Sequence, residues 1–154
     1  MKIVMGSDHA GVEYKEKLKE LAVSMGHQVI DIGTNSGESV DYPDFGEKGA
    51  LAVCRKEADL GILICGTGIG ISLAANKVRG VRAAVCWNEE TAHFAREHNN
   101  ANMLCMGARF ISIDMAVKIA KVFLETPFSN DKRHIRRINK ITSIEERSRS
   151  RDCK

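Results

Sequence analysis

The chain has 154 residues, 44% of them apolar and 28% charged, the size and balance of one globular domain with a full core. Its longest apolar stretches run to about five residues, too short to span a bilayer, and Met1 leads straight into Gly6-Ser7-Asp8 with no room for a secretory signal. The net charge of +3 is uneven: residues 1–124 carry 14 basic against 15 acidic side chains, and residues 125–154 carry 9 against 5. The expectation is a cytoplasmic globule whose basic C-terminal segment meets an anion, either a small ligand or a nucleic acid.

Residues 2–5 read as a strand ending at Gly6. Tyr14, Leu18, Leu21 and Met25 then form one apolar helix face, with Lys15, Glu16, Lys19 and Glu20 turned to water. Residues 28–33 are a second strand, followed by a polar loop through Tyr42-Pro43-Asp44, and Asp44 caps a helix to about Lys56. The continuous apolar run 60–65 predicts a strand covered on both faces. The turn 66–70 opens a helix through Val78, and residues 81–87 form a fourth strand. Asn88 caps a helix to about His98, and residues 103–110 form a fifth strand. Ser112 and Asp114 open a helix that stops before Pro127. A basic helix from Lys132 to about Arg147 closes the chain, with Ile135 and Ile138 available for packing opposite Arg133 and Arg137. Five strand-then-helix units imply a parallel sheet with helices on both faces, right-handed crossovers, and a ligand beyond the carboxyl ends of the strands.

The strongest local signal is Cys65-Gly66-Thr67-Gly68-Ile69-Gly70 at a strand-to-helix turn. Glycines there let a ligand approach the backbone, and the amides opening the next helix favour an anion, a phosphate or a charged intermediate. The same field favours a Cys65 thiolate. A dinucleotide fingerprint would follow the first strand and have an acidic residue closing the next; this turn follows the third strand, and the next ends in Cys86-Trp87-Asn88. Cys54, Cys86 and Cys105 read as small buried apolar residues, and Cys153 as an idle surface thiol. An odd set of five cysteines without a CxxC pair fits neither a disulfide framework nor zinc.

On the first loop, Asp8 and His9 offer an acceptor and a switchable donor, while Ser7 or Asp8 can cap the first helix. His98, in His98-Asn99-Asn100, is either a polar helix end or an acid/base near neutral pH. Arg133 and Arg137 share a helix face, which is either a solvated basic face or a fork suited to a phosphate dianion. His93 lies off the spacing of helical metal pairs, so no metal is expected. Arg-Ser-Arg-Ser-Arg at 147–151 lacks the aromatics of a nucleic-acid tail.

Together these segments resemble the B-type ribose-5-phosphate isomerase family, which also includes galactose-6-phosphate isomerase subunits. The residues that carry it are Gly6-Ser7-Asp8-His9-Ala10-Gly11, Asp41-Tyr42-Pro43-Asp44, the 65–70 turn, Ala74-Ala75-Asn76-Lys77, Arg96-Glu97-His98-Asn99, Gly107-Ala108-Arg109, and Arg133-His134 with Arg137. The resemblance implies one domain over residues 1–147 with a basic tail at 148–154. Its fold would be a Rossmann-like three-layer α/β/α sandwich with a five-stranded parallel sheet and an extra C-terminal helix. It further implies a homodimer or dimer of dimers with shared active sites, acting on a small sugar phosphate without metal, organic cofactor, nucleic acid or membrane. The implied reaction interconverts ribose 5-phosphate and ribulose 5-phosphate.

In that scheme Cys65 is the base and the amides of Gly66, Gly68, Ile69 and Gly70 hold the enediolate. His98 and Thr67 open the sugar ring, and Asp8 holds hydroxyls. His9, Arg133 and Arg137 clamp the phosphate, with Asn99 and Arg109 supporting across the subunit boundary. A shift in register would put Arg136 in place of Arg137. Relatives that use a carboxylate on the helix after the turn are a poorer match, because residues 71–77 contain no acid. The alternatives are a hexose 6-phosphate substrate and a non-catalytic nucleotide-binding module.

Overall fold

In the computed structural model, which describes residues 1–148, five strands pair in parallel: β1 (Lys2–Ser7), β2 (Gln28–Asp31), β3 (Leu60–Cys65), β4 (Ala83–Val85) and β5 (Met103–Gly107). Their order is β2-β1-β3-β5-β4. The apolar runs of the three central strands alternate between two cores, as the two-residue period of a strand requires. Ile62 and Ile64 of β3 face one core, with Ile3, Met5, Leu104 and Met106. Leu63 and Cys65 face the other, with Val4, Met103 and Cys105.

Helices α1 (Val12–Ser24), α4 (Glu89–Glu97) and α5 (Ile113–Glu125) cover the first face, and α2 (Tyr42–Cys54) and α3 (Ile69–Ala75) the second. The result is the three-layer α/β/α sandwich expected from the alternation. The chain leaves β1 and β3 toward opposite faces, which opens a crevice between their carboxyl ends.

Local chemistry sets the helix starts. Asn88 accepts from Thr91 N at 2.8 Å while the Thr91 side chain reaches back to Asn88 N, a reciprocal cap on α4. Ser112 caps α5 through Met115 N. Asp8 caps a single 3-10 turn, His9–Gly11, through Ala10 N, and α1 follows without a side-chain cap.

Several boundaries differ from the sequence reading. Helix α2 begins at Tyr42 behind Asp41, so Asp44 lies inside the first turn, beside Pro43, whose fixed φ suits that position. β4 is three residues long, not seven, because it has a strand neighbour, β5, on one side alone. Its open side is met by Asn76, whose amide exchanges two hydrogen bonds with the Ala83 backbone, 2.8 and 2.9 Å, as a strand would. Helix α3 ends at Ala75 rather than Val78.

Three burial expectations also fail. Cys54 is exposed. Lys15 has no exposed surface: its ammonium donates to both Asp31 oxygens, 2.8 and 2.7 Å, and to Asn35 Oδ1 at 2.7 Å. The last helix, α6 (Lys132–Ser148), does not pack through Ile135, which is exposed; its one buried residue is His134. Glu145 accepts from Gly80 N and Glu146 meets Arg79, so α6 straps the β4 edge across an open groove of about 1080 Å³. Residues 149–154, with Cys153 and most of the expected basic tail, lie outside the described residues.

Candidate active site

The turn after β3 is built against the end of β5. Cys65 pairs with Gly107 in register, and the amides of Ala108 and Arg109 donate to Cys65 O and Gly66 O at 2.9 and 3.1 Å. A methyl group on Gly107 would sit 2.6 Å from the Thr67 carbonyl, so glycine there is what allows the two backbones to touch. Gly68 has φ +77, the left-handed geometry that glycine adopts freely. That geometry aims the Gly68 N–H at Cys65 Sγ, 3.1 Å away. A thiolate accepts such a bond more strongly than a thiol.

Cys65 itself is 3% exposed. The amide of Ile69 is taken by Thr67 Oγ1 at 3.2 Å. The Tyr42 ring covers Gly70, and the Arg109 side chain lies over Gly66. Asp8 joins from β1: its N–H donates to Ile64 O, and Ala10 N occupies its Oδ1. His9 Nδ1 accepts from Val40 N at 3.3 Å, which ties the residues 32–41 loop to this end and leaves Nε2 to carry the proton.

The other cysteines are set apart electrostatically. Burial pushes the Cys86 thiol up to about 11, partly offset by a hydrogen bond from Thr91. Burial, with the charges of Cys65 and Cys86, pushes the Cys105 thiol up further still.

His98, Asn99, Arg133 and Arg137 lie elsewhere. α4 returns from the carboxyl end of β4, so its last turn reaches the opposite end of the sheet: Asn102 bonds to Arg82 before β4, and Gly61 N donates to Asn102 O. About 16 Å of strand separates the two ends of β3. At that lower end Glu97 Oε2 lies 3.0 Å from His98 Nε2 and 3.4 Å from His93 Nε2. The His98 ring stacks on Phe94 and lies 4.3 Å from the ring of His134.

Two half-buried arginines hold this corner. Arg82 donates to the carbonyls of Asn99 and Asn100, and Arg96 to those of Ala101 and Thr126 and to Asn100 Oδ1. Burial draws both guanidiniums down from their ordinary value. Among the described residues, no three His, Cys, Asp or Glu side chains converge as a metal site requires.

The fold is shared with solved proteins. A family model described as Ribose/Galactose Isomerase matches residues 3–141. The chain belongs to the ribose/galactose isomerase family. It is 44% identical over 146 residues to ribose-5-phosphate isomerase B of Escherichia coli, covering 95% of this chain and 97% of that one. It is 42% identical to galactose-6-phosphate isomerase subunit LacB of Clostridium acetobutylicum, covering 95% of this chain and 84% of LacB. The solved Clostridium thermocellum ribose-5-phosphate isomerase B superimposes with a TM-score of 0.94 at 50% identity, covering 96% of this chain and 99% of that one. The Mycoplasma genitalium enzyme, solved with bound ribulose-5-phosphate, superimposes with a TM-score of 0.89 at 44% identity, covering 94% and 96%.

Within this isomerase fold, the sequence reading placed Asp8, His9, Cys65, Thr67 and the glycine turn correctly at one end of the sheet. His98, Asn99, Arg133 and Arg137, which the resemblance assigns to sites shared between subunits, lie at the other end of the sheet in this chain, whereas Arg109, expected across the subunit boundary, lies over Gly66 at the Cys65 end. The signal was available: a helix that follows a parallel strand carries its C-terminus to the opposite end of the sheet. The Arg82 and Arg96 contacts had no such signal, since all their partners but Asn100 Oδ1 are backbone carbonyls.

Proposed function

We propose that this chain is a single-domain aldose–ketose isomerase interconverting D-ribose 5-phosphate and D-ribulose 5-phosphate, with Cys65 as base. The observation that carries the assignment is the Gly68 N–H donating to a buried Cys65 Sγ at the carboxyl end of β3. His98, with Thr67, opens the furanose ring, as the family resemblance implies. The Cys65 thiolate then takes the proton on C2 of the open aldehyde, giving a cis-enediolate. It returns that proton to C1 while a second proton passes from O2 to O1, and the ketose results. A positioned base contributes about 10²–10⁴-fold to such a step.

Among the described residues the amides of Gly66, Thr67 and Gly70 carry no backbone partner and are the donors for the enediolate oxygen; those of Gly68 and Ile69 serve the thiol and Thr67. Asp8 holds hydroxyls through its second oxygen. His9, Arg133 and Arg137 hold the phosphate, and Asn99 and Arg109 support them.

One chain cannot bring these groups together, because His98, Asn99, Arg133 and Arg137 lie at the far end of the sheet from Cys65. The reading therefore includes a homodimer in which each chain completes the other's site. Exposed Ile69, Leu73, Trp87 and Phe110 at the Cys65 end offer apolar surface for it. Among the described residues the cysteines are free, which supports a reducing, cytoplasmic setting.

The test is ribulose 5-phosphate formation from ribose 5-phosphate by purified protein in EDTA. Saturable turnover is expected, and its abolition in Cys65→Ala with substrate binding retained. Wild-type-like turnover in that variant would overturn the base. The same assay with allose 6-phosphate and galactose 6-phosphate measures the breadth that the LacB likeness raises.

A further inference from the structure

We propose that His134 is a positioning residue that holds the Arg133 guanidinium in one orientation for the substrate phosphate; this rests on the assignment of Arg133 to the phosphate clamp. His134 is the one residue of α6 that is buried, at 2% exposure, and a buried imidazole must satisfy two nitrogens. Its Nε2 accepts from Arg133 Nε–H at 3.1 Å. That contact requires a lone pair on Nε2, so the ring proton sits on Nδ1 and is donated to Ser129 Oγ at 2.8 Å.

Ser129 is in turn fixed from both sides. Its N–H donates to Glu97 O at 3.1 Å, and its Oγ receives Asp131 N at 3.3 Å. A continuous chain of hydrogen bonds thus runs from the last turn of α4, through Ser129 and His134, to the Arg133 side chain. The His98 ring lies against the same imidazole.

Arg133 has little else to hold it. Its side chain is 62% exposed, and its nearest carboxylate, Asp131, is 3.8 Å away. A long side chain left free would lose rotamer entropy each time a phosphate bound. An acceptor on its Nε removes that cost beforehand and leaves both terminal nitrogens for the ligand. The groups facing His134 favour its neutral form: burial, then His98, Arg133 and Arg137 disfavour a proton, against Asp131 alone in favour. A filler residue would need no lone pair aimed at a guanidinium. His134 has one.

The experiment compares steady-state kinetics of Arg133→Ala, His134→Ala, His134→Gln and the Arg133→Ala/His134→Ala double variant on ribose 5-phosphate, with melting temperatures for each. His134→Ala is expected to raise KM about tenfold. His134→Gln, whose Oε1 falls where Nε2 was, should stay within about twofold of wild type. In the Arg133→Ala background, His134→Ala should add less than about twofold, because its target is gone.

Multiplying effects in the double variant would overturn the proposal. So would a His134→Gln protein of unchanged melting temperature with the KM of the alanine variant, a comparison that stands even where His134→Ala folds poorly. A wild-type KM in Arg133→Ala would instead overturn the clamp, and the role of His134 with it.

Discussion

The amide of Gly68 serves Cys65 because of one dihedral angle. A side chain at that position would be strained by the +77° φ and would bring a Cβ to 2.8 Å from the Met106 carbonyl carbon, backbone that cannot move aside. Gly68→Ala should therefore cost more than about 1 kcal/mol in chemical denaturation. It should lower kcat at least tenfold by turning the N–H off the sulfur; a variant with wild-type kcat would show that this amide does nothing for the thiolate. At this scale the sequence was informative wherever chemistry is contiguous with a strand end, as at Asp8 and the 65–70 turn. It was misleading on Cys54, whose apolar character suggests burial but whose place in the last turn of α2 leaves it exposed, and silent on His134, whose partners lie on a different helix and a connecting loop.

Elements are tied together by groups that pattern reading assigns to solvent. Periodicity assigns Lys15 to the wet face of α1 because its neighbours Glu16, Lys19 and Glu20 belong there. Its partners, Asp31 at the end of β2 and Asn35 in the loop beyond, are 16 and 20 residues away. This buried ammonium locks α1 to β2 and anchors the loop that reaches His9. At Asp31, burial raises the carboxyl, but hydrogen bonds from Lys15, Lys19 and Gly33 N outweigh it and hold the group below its ordinary value. A depressed carboxyl stabilises the fold above its unfolded pKa and loses that contribution as pH falls through the native one. The melting-temperature gap between wild type and Asp31→Asn should thus be wide at pH 7 and close below about pH 4. A gap independent of pH would mean the ion pair contributes nothing.

The bounds of strand β3 are legible to the residue because a strand buried on both faces announces itself as an unbroken apolar run. Edge strand β4 was read too long, since apolar flanks look alike whether or not a neighbour exists to pair with them. Helix α2 was misplaced by three residues for a similar reason: Asp41-Tyr42-Pro43-Asp44 offers two acids, and either could start a helix.

At the scale of the whole molecule, the alternation defines the fold, while the expectation of sites shared between subunits comes from the family resemblance and not from any periodicity in the chain. Every residue needed for the proposed reaction is on one chain, yet the fold sends them to opposite ends of one sheet. Mixing inactive Cys65→Ala with inactive His98→Ala subunits should restore activity, because the mixed dimer contains one site with both groups intact. Under random exchange the expected recovery is about a quarter of the wild-type level. Absence of recovery, with exchange verified, would place both groups of a site on the same chain.

The two-ended arrangement also bears on how such a site can evolve. The upper end is constrained by backbone contacts at Gly68 and Gly107 that admit no side chain. The lower end, a helix terminus and an exposed basic helix, has room to vary. After a gene duplication, one copy could keep the upper half and the other the lower, each tolerating loss of the half it no longer supplies. The pair would then become obligatory partners, and a new sugar could be accommodated by changing the copy that never carries the base.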